Sequence, residues 1–272
     1  MTAETELRGK SVALIGAGNM GLALLEGWAA QHALGPVSIV EPQPSQRLRQ
    51  LCADHGFALN GVATPRDAVV LAVKPQALPA GAAAAAAYVT RETVVVSILA
   101  GKRIADIAAH VPANAIVRAM PNTPAAIGRG VTGVFPSAAT NAAQRALADA
   151  LLRAVGAVEW VDDEALIDVV TAVSGSGPAY VFYFAECLAA AGAEAGLPGA
   201  LAARLARATV EGAGELMRRN CETSPDELRR RVTSPGGTTA AALEVLEASD
   251  GLAGLMRRAV AAAKRRAGEL SG

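Results

Sequence analysis

The sequence predicts an α/β domain over residues 1–161, doubly wound about a parallel sheet, and an all-helical domain over residues 162–272. Three observations carry this expectation. Short β-branched, apolar runs alternate with helical patterns as far as Val161, and beyond that point the strand signals stop. One of the runs, Val69-Val-Leu-Ala-Val73, is apolar throughout, as in a parallel strand covered on both faces. Aromatic residues form only 3% of the 272 while alanine abounds, which favours close-packed helices over an all-β fold.

Composition excludes several classes. The 25 basic and 25 acidic residues balance, so the chain lacks the basic excess that nucleic acid or an anionic membrane would need. No basic segment followed by an apolar one opens the chain, and a secretory signal is not expected. The most apolar window, Ala77–Val89, is mostly alanine and too short to span a bilayer. Cys52, Cys187 and Cys221 are odd in number, far apart and without Cys-x-x-Cys spacing. They read as reduced thiols of a cytoplasmic protein, and no metal site is expected.

The first run, Val12–Ile15, stops at Gly16, and an Ala/Leu-rich helical pattern starts near Asn19. Gly16, Gly18 and Gly21 fill the glycines of G-x-G-x-x-G between a strand and a helix. The first permits the tight turn, the second the close approach of a pyrophosphate, and the third close packing of helix on strand. Free N–H groups at the helix N-terminus would hold the phosphates. Gly16, Ala17, Gly18, Asn19, Met20 and Gly21 are therefore expected in a dinucleotide site of Rossmann type.

Val37–Val40 is the next strand and ends at Glu41, where an acidic residue commonly accepts hydrogen bonds from the adenine ribose. A carboxylate there would repel a 2′-phosphate. Arg47 and Arg49 offer the opposite preference, or form the solvated face of the following helix, so the coenzyme's phosphate state stays open. That helix opens at Pro44-Ser45, carries Leu48, Leu51 and Cys52, and stops at Gly56. Val69–Val73 ends in Lys74-Pro75, at the end of a parallel strand, where ligands lie. Lys74 there contacts the coenzyme or is simply solvated.

Thr93–Ile98 ends at Leu99-Ala100-Gly101, small enough to admit a coenzyme against backbone. Ala115–Ala119 ends in Met120-Pro-Asn-Thr-Pro124, a rigid turn that places Asn122 at another strand end. Val131–Phe135, a helix over Thr140–Val155 and Val158–Val161 complete the sheet.

Helical patterns fill the rest. Asp162-Asp163 starts one that runs to Gly175, and Ser174-Gly-Ser-Gly-Pro-Ala-Tyr180 breaks it and launches a long helix to Gly196. Ala200–Asn220 follows. Ser224-Pro-Asp-Glu227 has the form of a capping box at the start of a short helix ending near Val232. Two more helices reach Leu270. Between them and the short helix lies Ser234-Pro-Gly-Gly-Thr-Thr239, three hydroxyls around two glycines without charge, which fits a small carboxylate at a helix N-terminus. His32, His55 and His110 all lie in the first half, and Lys264 is the single lysine of the second. An alcohol dehydrogenation needs a base, usually His or Lys, whereas an imine nitrogen can arrive protonated. The inventory suits imine reduction.

At this point the sequence resembles the pyrroline-5-carboxylate reductases. The matching stretches are Ile15–Gly21, Ala72-Val-Lys-Pro-Gln76, Arg118-Ala-Met-Pro-Asn-Thr-Pro-Ala125, Ser174–Tyr180, Val232–Thr239 and Leu246-Glu247, in the family's order over nearly the whole chain. The resemblance implies reduction of Δ1-pyrroline-5-carboxylate to L-proline with NAD(P)H, the final step of proline biosynthesis, NADPH being the more usual coenzyme. It implies that Gly16–Gly21, Asn60, Ala72, Val73, Lys74, Pro75 and Leu99–Gly101 hold the coenzyme. Glu164, Ser234, Gly236, Gly237, Thr238 and Thr239 would hold the substrate, with Thr239 beside the ring nitrogen as catalytic proton donor or orienter. Glu222 aligns with an acidic residue near that site. Self-association as a homodimer through interleaved helices is also implied, with dimers often assembled into larger rings such as a decamer. Glu41 stands where many members carry a small polar residue, and Arg231 where some carry asparagine, so neither contact transfers from the family.

Two other readings compete. A β-hydroxyacid dehydrogenase shares G-x-G-x-M-G, but would need a lysine early in the helical half, where none stands. A non-catalytic dinucleotide-binding regulator would not need the hydroxyl-rich stretch at Ser234.

Overall fold

The computed structural model describes residues 3–271. It divides into two compact units, residues 1–175 with 263–272, and residues 176–262.

In the first unit eight strands form one sheet in the order β3-β2-β1-β4-β5-β6-β7-β8. They are β1 Val12–Ile15, β2 Val37–Val40, β3 Ala58–Leu59, β4 Ala68–Leu71, β5 Val94–Ser97, β6 Ala115–Met120, β7 Gly130–Pro136 and β8 Gly156–Trp160. β1 and β2 have the expected bounds. β4 begins and ends earlier than the apolar run suggested, which releases Ala72 and Val73 into the loop beyond it. The two-residue β3 escaped the sequence reading, because so short a strand carries no period.

Helices cover both faces. Val12, Leu14, Val70 and Val96 pack with Leu24, Leu25 and Trp28 of α2 (Asn19–Gln31) and with Leu151 of α6 (Ala142–Arg153). Ala13, Ile15, Val69, Leu71 and Val95 face Leu78 and Ala82 of α4 (Leu78–Ala85) and Ile107 of α5 (Ile104–Ala108). Alternate residues of one strand thus enter opposite cores, which is why the strands read as continuous apolar runs. Burying each large side chain is worth about 1.5–3 kcal/mol. Trp28 also donates its indole N–H to the Leu151 carbonyl at 2.8 Å. On the same face lies α3 (Gln46–His55), capped by the Ser45 hydroxyl, which accepts from the Leu48 N–H at 3.2 Å, and closed by Gly56 at φ 67°. A short helix α1 (Ala3–Leu7), which the sequence reading did not anticipate, packs on α6 through the buried Leu7.

The sheet departs from the expected parallel pattern once, where β7 runs antiparallel to β6. Only residues 121–129 join them, and a parallel crossover needs a dozen or more. The helix α6 then returns the chain to a parallel β8.

The first unit extends past Val161 to include α7 (Leu166–Val170) and a turn of π-helix, Thr171–Gly175. A side chain on Gly133 of β7 would fall within 2.5 Å of Val170 Cγ1, so the missing Cβ gives α7 its seat on the sheet. Ile167 and Ala172 are buried.

The second unit is helical throughout: α8 (Gly177–Glu194), α9 (Gly199–Arg219), α10 (Pro225–Arg231), α11 (Thr238–Leu246) and the start of α12 (Leu252–Leu270). A four-residue connection over 195–198 makes α8 and α9 antiparallel neighbours, with Gly192 close against Ala202 and Leu197. Ser224 precedes α10 as expected, but its hydroxyl does not cap the helix. It donates to Asp226 Oδ1 at 2.5 Å instead, the leading cause of a lowered Asp226 carboxyl pKa. The capping-box reading is corrected accordingly: the nearer carboxylate outcompetes the backbone for the Ser224 hydroxyl. Among the described residues of this unit only Ala202, Ala206 and Gly254 are buried.

Candidate active site

The residues expected to bind the coenzyme gather at one edge of the first unit. Gly16, Glu41, Ala72, Leu99 and Asn122 all follow the carboxyl ends of strands that are neighbours in the order β2-β1-β4-β5-β6. The chain direction of the winding reverses between β1 and β4, and ligands of open α/β sheets lie outside such a switch point. A cleft of about 340 Å³ opens there, lined by Gly16, Gly18, Glu41, Ala72, Val73 and Lys74 and floored by the small residues Ala80, Gly81 and Ala84 of α4.

Gly16 and Gly21 take their expected tasks of tight turn and close helix packing. Gly16 has φ 92°, and a Cβ on it would lie 2.9 Å from the Ala72 carbonyl. A Cβ on Gly21 would meet the Gly16 carbonyl oxygen at 2.5 Å, so α2 sits tight against the turn. Gly18 faces open space. It is also the N-cap of α2 without any side-chain cap, which leaves the first N–H groups of the helix, from Asn19 and Met20 onward, open to an anion.

Glu41 lines one side of the cleft. Its Oε2 accepts from the Ala17 N–H at 2.9 Å and its Oε1 from the Gln43 N–H at 3.0 Å. Asn60 stands beside it at φ 51°, its Oδ1 accepting from the Glu41 N–H and its Nδ2 donating to the Glu41 carbonyl, both at 2.9 Å. Arg47 is exposed and pairs with Glu26 at 2.5 Å. Lys74 is exposed and lines the cleft, and Pro75 begins the 3-10 turn after it.

Leu99 is buried in the sheet core and Ala100 is exposed. Gly101, at φ 67°, has no room for a side chain because a Cβ would lie 2.7 Å from the Leu270 carbonyl oxygen at the end of α12. Its smallness therefore serves the packing of α12. Asn122 is buried, its Nδ2 donating to the Ser174 carbonyl at 3.1 Å and its Oδ1 accepting from the Val131 N–H at 2.9 Å. Both ends of its amide thus fasten β6 to β7 and to the π-helical turn.

Glu164 belongs to a cluster that sequence reasoning missed. Its Oε1 accepts from the Ile104 N–H at 2.8 Å and from Arg118 Nη1 at 3.3 Å. Arg118, 3% exposed, also reaches Asp168 Oδ1 at 3.4 Å and Ser271 Oγ at 3.5 Å, while the Ser271 hydroxyl donates to Asp168 at 3.2 Å. The available signal was an arginine inside an otherwise apolar strand, since a buried charge requires partners.

The remaining expected substrate residues lie in the second unit. Gly236 has φ 71°, and the Gly237 N–H donates to the Ser234 carbonyl at 3.0 Å. Gly237 is the N-cap of α11 in extended conformation, again without a side-chain cap. The hydroxyls of Ser234, Thr238 and Thr239 make no hydrogen bond among the described residues, so three hydroxyls and a free helix N-terminus share one loop. Glu222 lies in the turn after α9, accepting from the Cys221 thiol at 3.7 Å.

Comparison with known proteins finds two family models along the chain. Residues 11–101 fit the family model described as NADP oxidoreductase coenzyme F420-dependent, and residues 164–270 the one described as pyrroline-5-carboxylate reductase dimerisation. The pyrroline-5-carboxylate reductase of Pseudomonas aeruginosa is 42% identical over 265 residues, 96% of each chain. A pyrroline-5-carboxylate reductase structure from Coxiella burnetii superposes with a TM-score of 0.88 at 34% identity, over 97% of this chain and all of the other. The Plasmodium falciparum enzyme, solved with NADP bound, gives 0.78 at 26% identity, over 98% of this chain and 100% of the other. With this fold and this extent of identity, the chain belongs to the pyrroline-5-carboxylate reductase family.

Proposed function

We propose that the protein reduces Δ1-pyrroline-5-carboxylate to L-proline with NAD(P)H, acting as a self-associating homodimer. The observation that carries the substrate reading is the Ser234–Thr239 loop. Among the described residues its hydroxyls have no hydrogen-bond partner, and the α11 N-terminus beside them has no side-chain cap. Uncommitted hydroxyls and N–H groups are what a small carboxylate requires, and the positive end of the helix dipole adds attraction.

In this reading Gly16–Gly21, Glu41, Asn60, Ala72–Pro75 and Leu99–Gly101 bind the coenzyme, which supplies the hydride. Ser234 and Gly236–Thr238 hold the carboxylate. Thr239 faces the ring nitrogen, which gains electron density as hydride reaches the adjacent carbon. A positioned hydroxyl stabilises that nitrogen or relays a proton to it. Glu222 supports this loop, and Glu164, fixed by Arg118, completes the substrate residues. The chain carries no lysine early in the helical half, which disfavours the β-hydroxyacid dehydrogenase reading. The wide outward-facing apolar surface of α8 and α9 supports self-association, and larger rings such as a decamer belong to the same proposal.

Steady-state turnover of Δ1-pyrroline-5-carboxylate, followed by oxidation of NADH or NADPH, tests the reading. Turnover with formation of proline is expected. Its absence with both coenzymes, in protein that binds them, would reject the substrate assignment.

A further inference from the structure

The coenzyme cleft contains a device for choosing between NADH and NADPH. The chemistry lies in one carboxylate and its support, and the inference rests on the cleft being the coenzyme site. We infer that Glu41, oriented by Asn60, selects NADH, with Asn60 acting as a positioning residue.

A carboxylate only accepts hydrogen bonds and offers about four lone-pair sites. The Ala17 and Gln43 N–H groups occupy one site on each oxygen of Glu41. That fixes the plane of the group against the glycine turn and leaves about two sites facing the cleft. The 2′- and 3′-hydroxyls of an NADH ribose are two donors and fill them. A 2′-phosphate brings roughly −1.5 to −2 charges and no matching donor to the same place.

Among the described residues no ion pair includes Glu41, and Arg47 pairs with Glu26 at 2.5 Å instead. Lys74 follows β4, two strands from β2 with β1 between, which is about 10 Å across the sheet.

Asn60 makes the geometry rigid. It adopts the left-handed conformation at φ 51°, which residues other than glycine adopt at some cost, and asparagine most readily among them. Its own N–H donates to the Ile39 carbonyl at 2.8 Å, anchoring it alongside β2. From there its amide grips both the N–H and the carbonyl of Glu41. The backbone of the selecting residue is thereby clamped from one side and its carboxylate from the other. Strained residues held by such surroundings cluster at functional sites.

Fluorescence titration of the full-length protein with NADH and with NADPH tests this, using wild type, Glu41→Ser, Asn60→Gly and the double variant. Glycine at position 60 keeps the left-handed backbone while removing the clamp. Wild type is expected to bind NADH more tightly than NADPH. Glu41→Ser should move the Kd ratio about tenfold toward NADPH. Asn60→Gly should move it about threefold or more in the same direction, and add nothing in the Glu41→Ser background. A wild type that binds NADPH more tightly, or a ratio unmoved by Glu41→Ser, overturns the selection. An Asn60→Gly variant that weakens both coenzymes alike, or whose effect persists without Glu41, overturns the positioning role. Because these measurements read coenzyme binding alone, they stand whether or not pyrroline-5-carboxylate proves to be the substrate.

Discussion

The two units solve the same packing problem in opposite ways. In the sheet unit, α2 alone places six residues in the core, Trp28 and Leu24 among them. In the helical unit, α8 buries none, although Phe182, Tyr183, Phe184 and Leu188 all lie on it and are between 39% and 67% exposed. Continuous apolar surfaces of this kind are rare on monomers. A sheet with helices on both faces closes its own core, whereas a bare antiparallel helix pair has no third layer to cover it. The helical unit therefore leaves its apolar surface for self-association, whereas the sheet unit buries its own. Each of the following experiments breaks or sharpens that contrast.

The largest effect is expected from charge on the exposed aromatic side chains of α8. Phe182→Glu combined with Phe184→Glu should weaken self-association by about a hundredfold or more, since two desolvated carboxylates are buried on assembly. Sedimentation of the full chain against concentration measures this. Val62→Glu, at a 90% exposed position of the sheet unit, is the control and should leave association unchanged. An unaffected double variant would place the interface elsewhere.

Next comes the core of the sheet unit. Leu24→Ala, at a fully buried position, should cost about 2–5 kcal/mol in denaturant unfolding. Leu188→Ala, half exposed on α8, should cost less and show a cost that grows as protein concentration falls, because its burial depends on assembly. Equal and concentration-independent losses would erase the distinction.

Within the proposed active site, Thr239→Val keeps the side-chain shape and removes the hydroxyl. The expected result is a fall in kcat of about tenfold or more with coenzyme affinity held within about twofold. Ser234→Ala should mainly raise KM, as carboxylate binding is much the same in ground and transition states. If Thr239→Val leaves kcat untouched, the proton comes from water or from the iminium itself.

The smallest effect concerns acid stability of the sheet. The Asp67 carboxyl lies below its ordinary value of 3.8: partial burial opposes this, but hydrogen bonds from the Ser11 N–H and hydroxyl and the charge of Lys10 outweigh it. A depressed carboxylate stabilises the fold above the unfolded value, and the contribution is lost as pH falls through the folded one. Asp67→Asn should thus lower Tm slightly near neutrality and leave it unchanged under strong acid. With its side chain 43% exposed, the loss is modest.

Much of this molecule was legible before any coordinates. Local rules sufficed for β1, β2 and the start of α2, because an apolar run ended by glycine leaves the backbone few choices. They sufficed for the turn at Gly16 and the close helix packing at Gly21, which follow from the missing Cβ. The hydroxyl-rich stretch before α11 was likewise visible, since a helix mouth is a feature of neighbouring residues. Tertiary structure alone decided the rest, wherever one residue's role depends on another far along the chain. The antiparallel β7 follows from the reach of the 121–129 connection over the sheet. Arg118 gains its meaning from Glu164, Asp168 and Ser271, up to 153 residues away. Asn122 sits at a strand end like its neighbours, yet its amide fastens the fold, because Ser174 and Val131 come within hydrogen-bonding distance. Asn60 was expected beside the coenzyme, and only the closure of β2 against the loop after β3 made it the clamp of Glu41. Sequence by itself determined most of the strands and helices and the glycine turn between β1 and α2, since those depend on residues within a few positions of each other. Which polar side chains pair, and so which serve the fold and which face the ligand, was decided by distances that exist only once the sheet has closed.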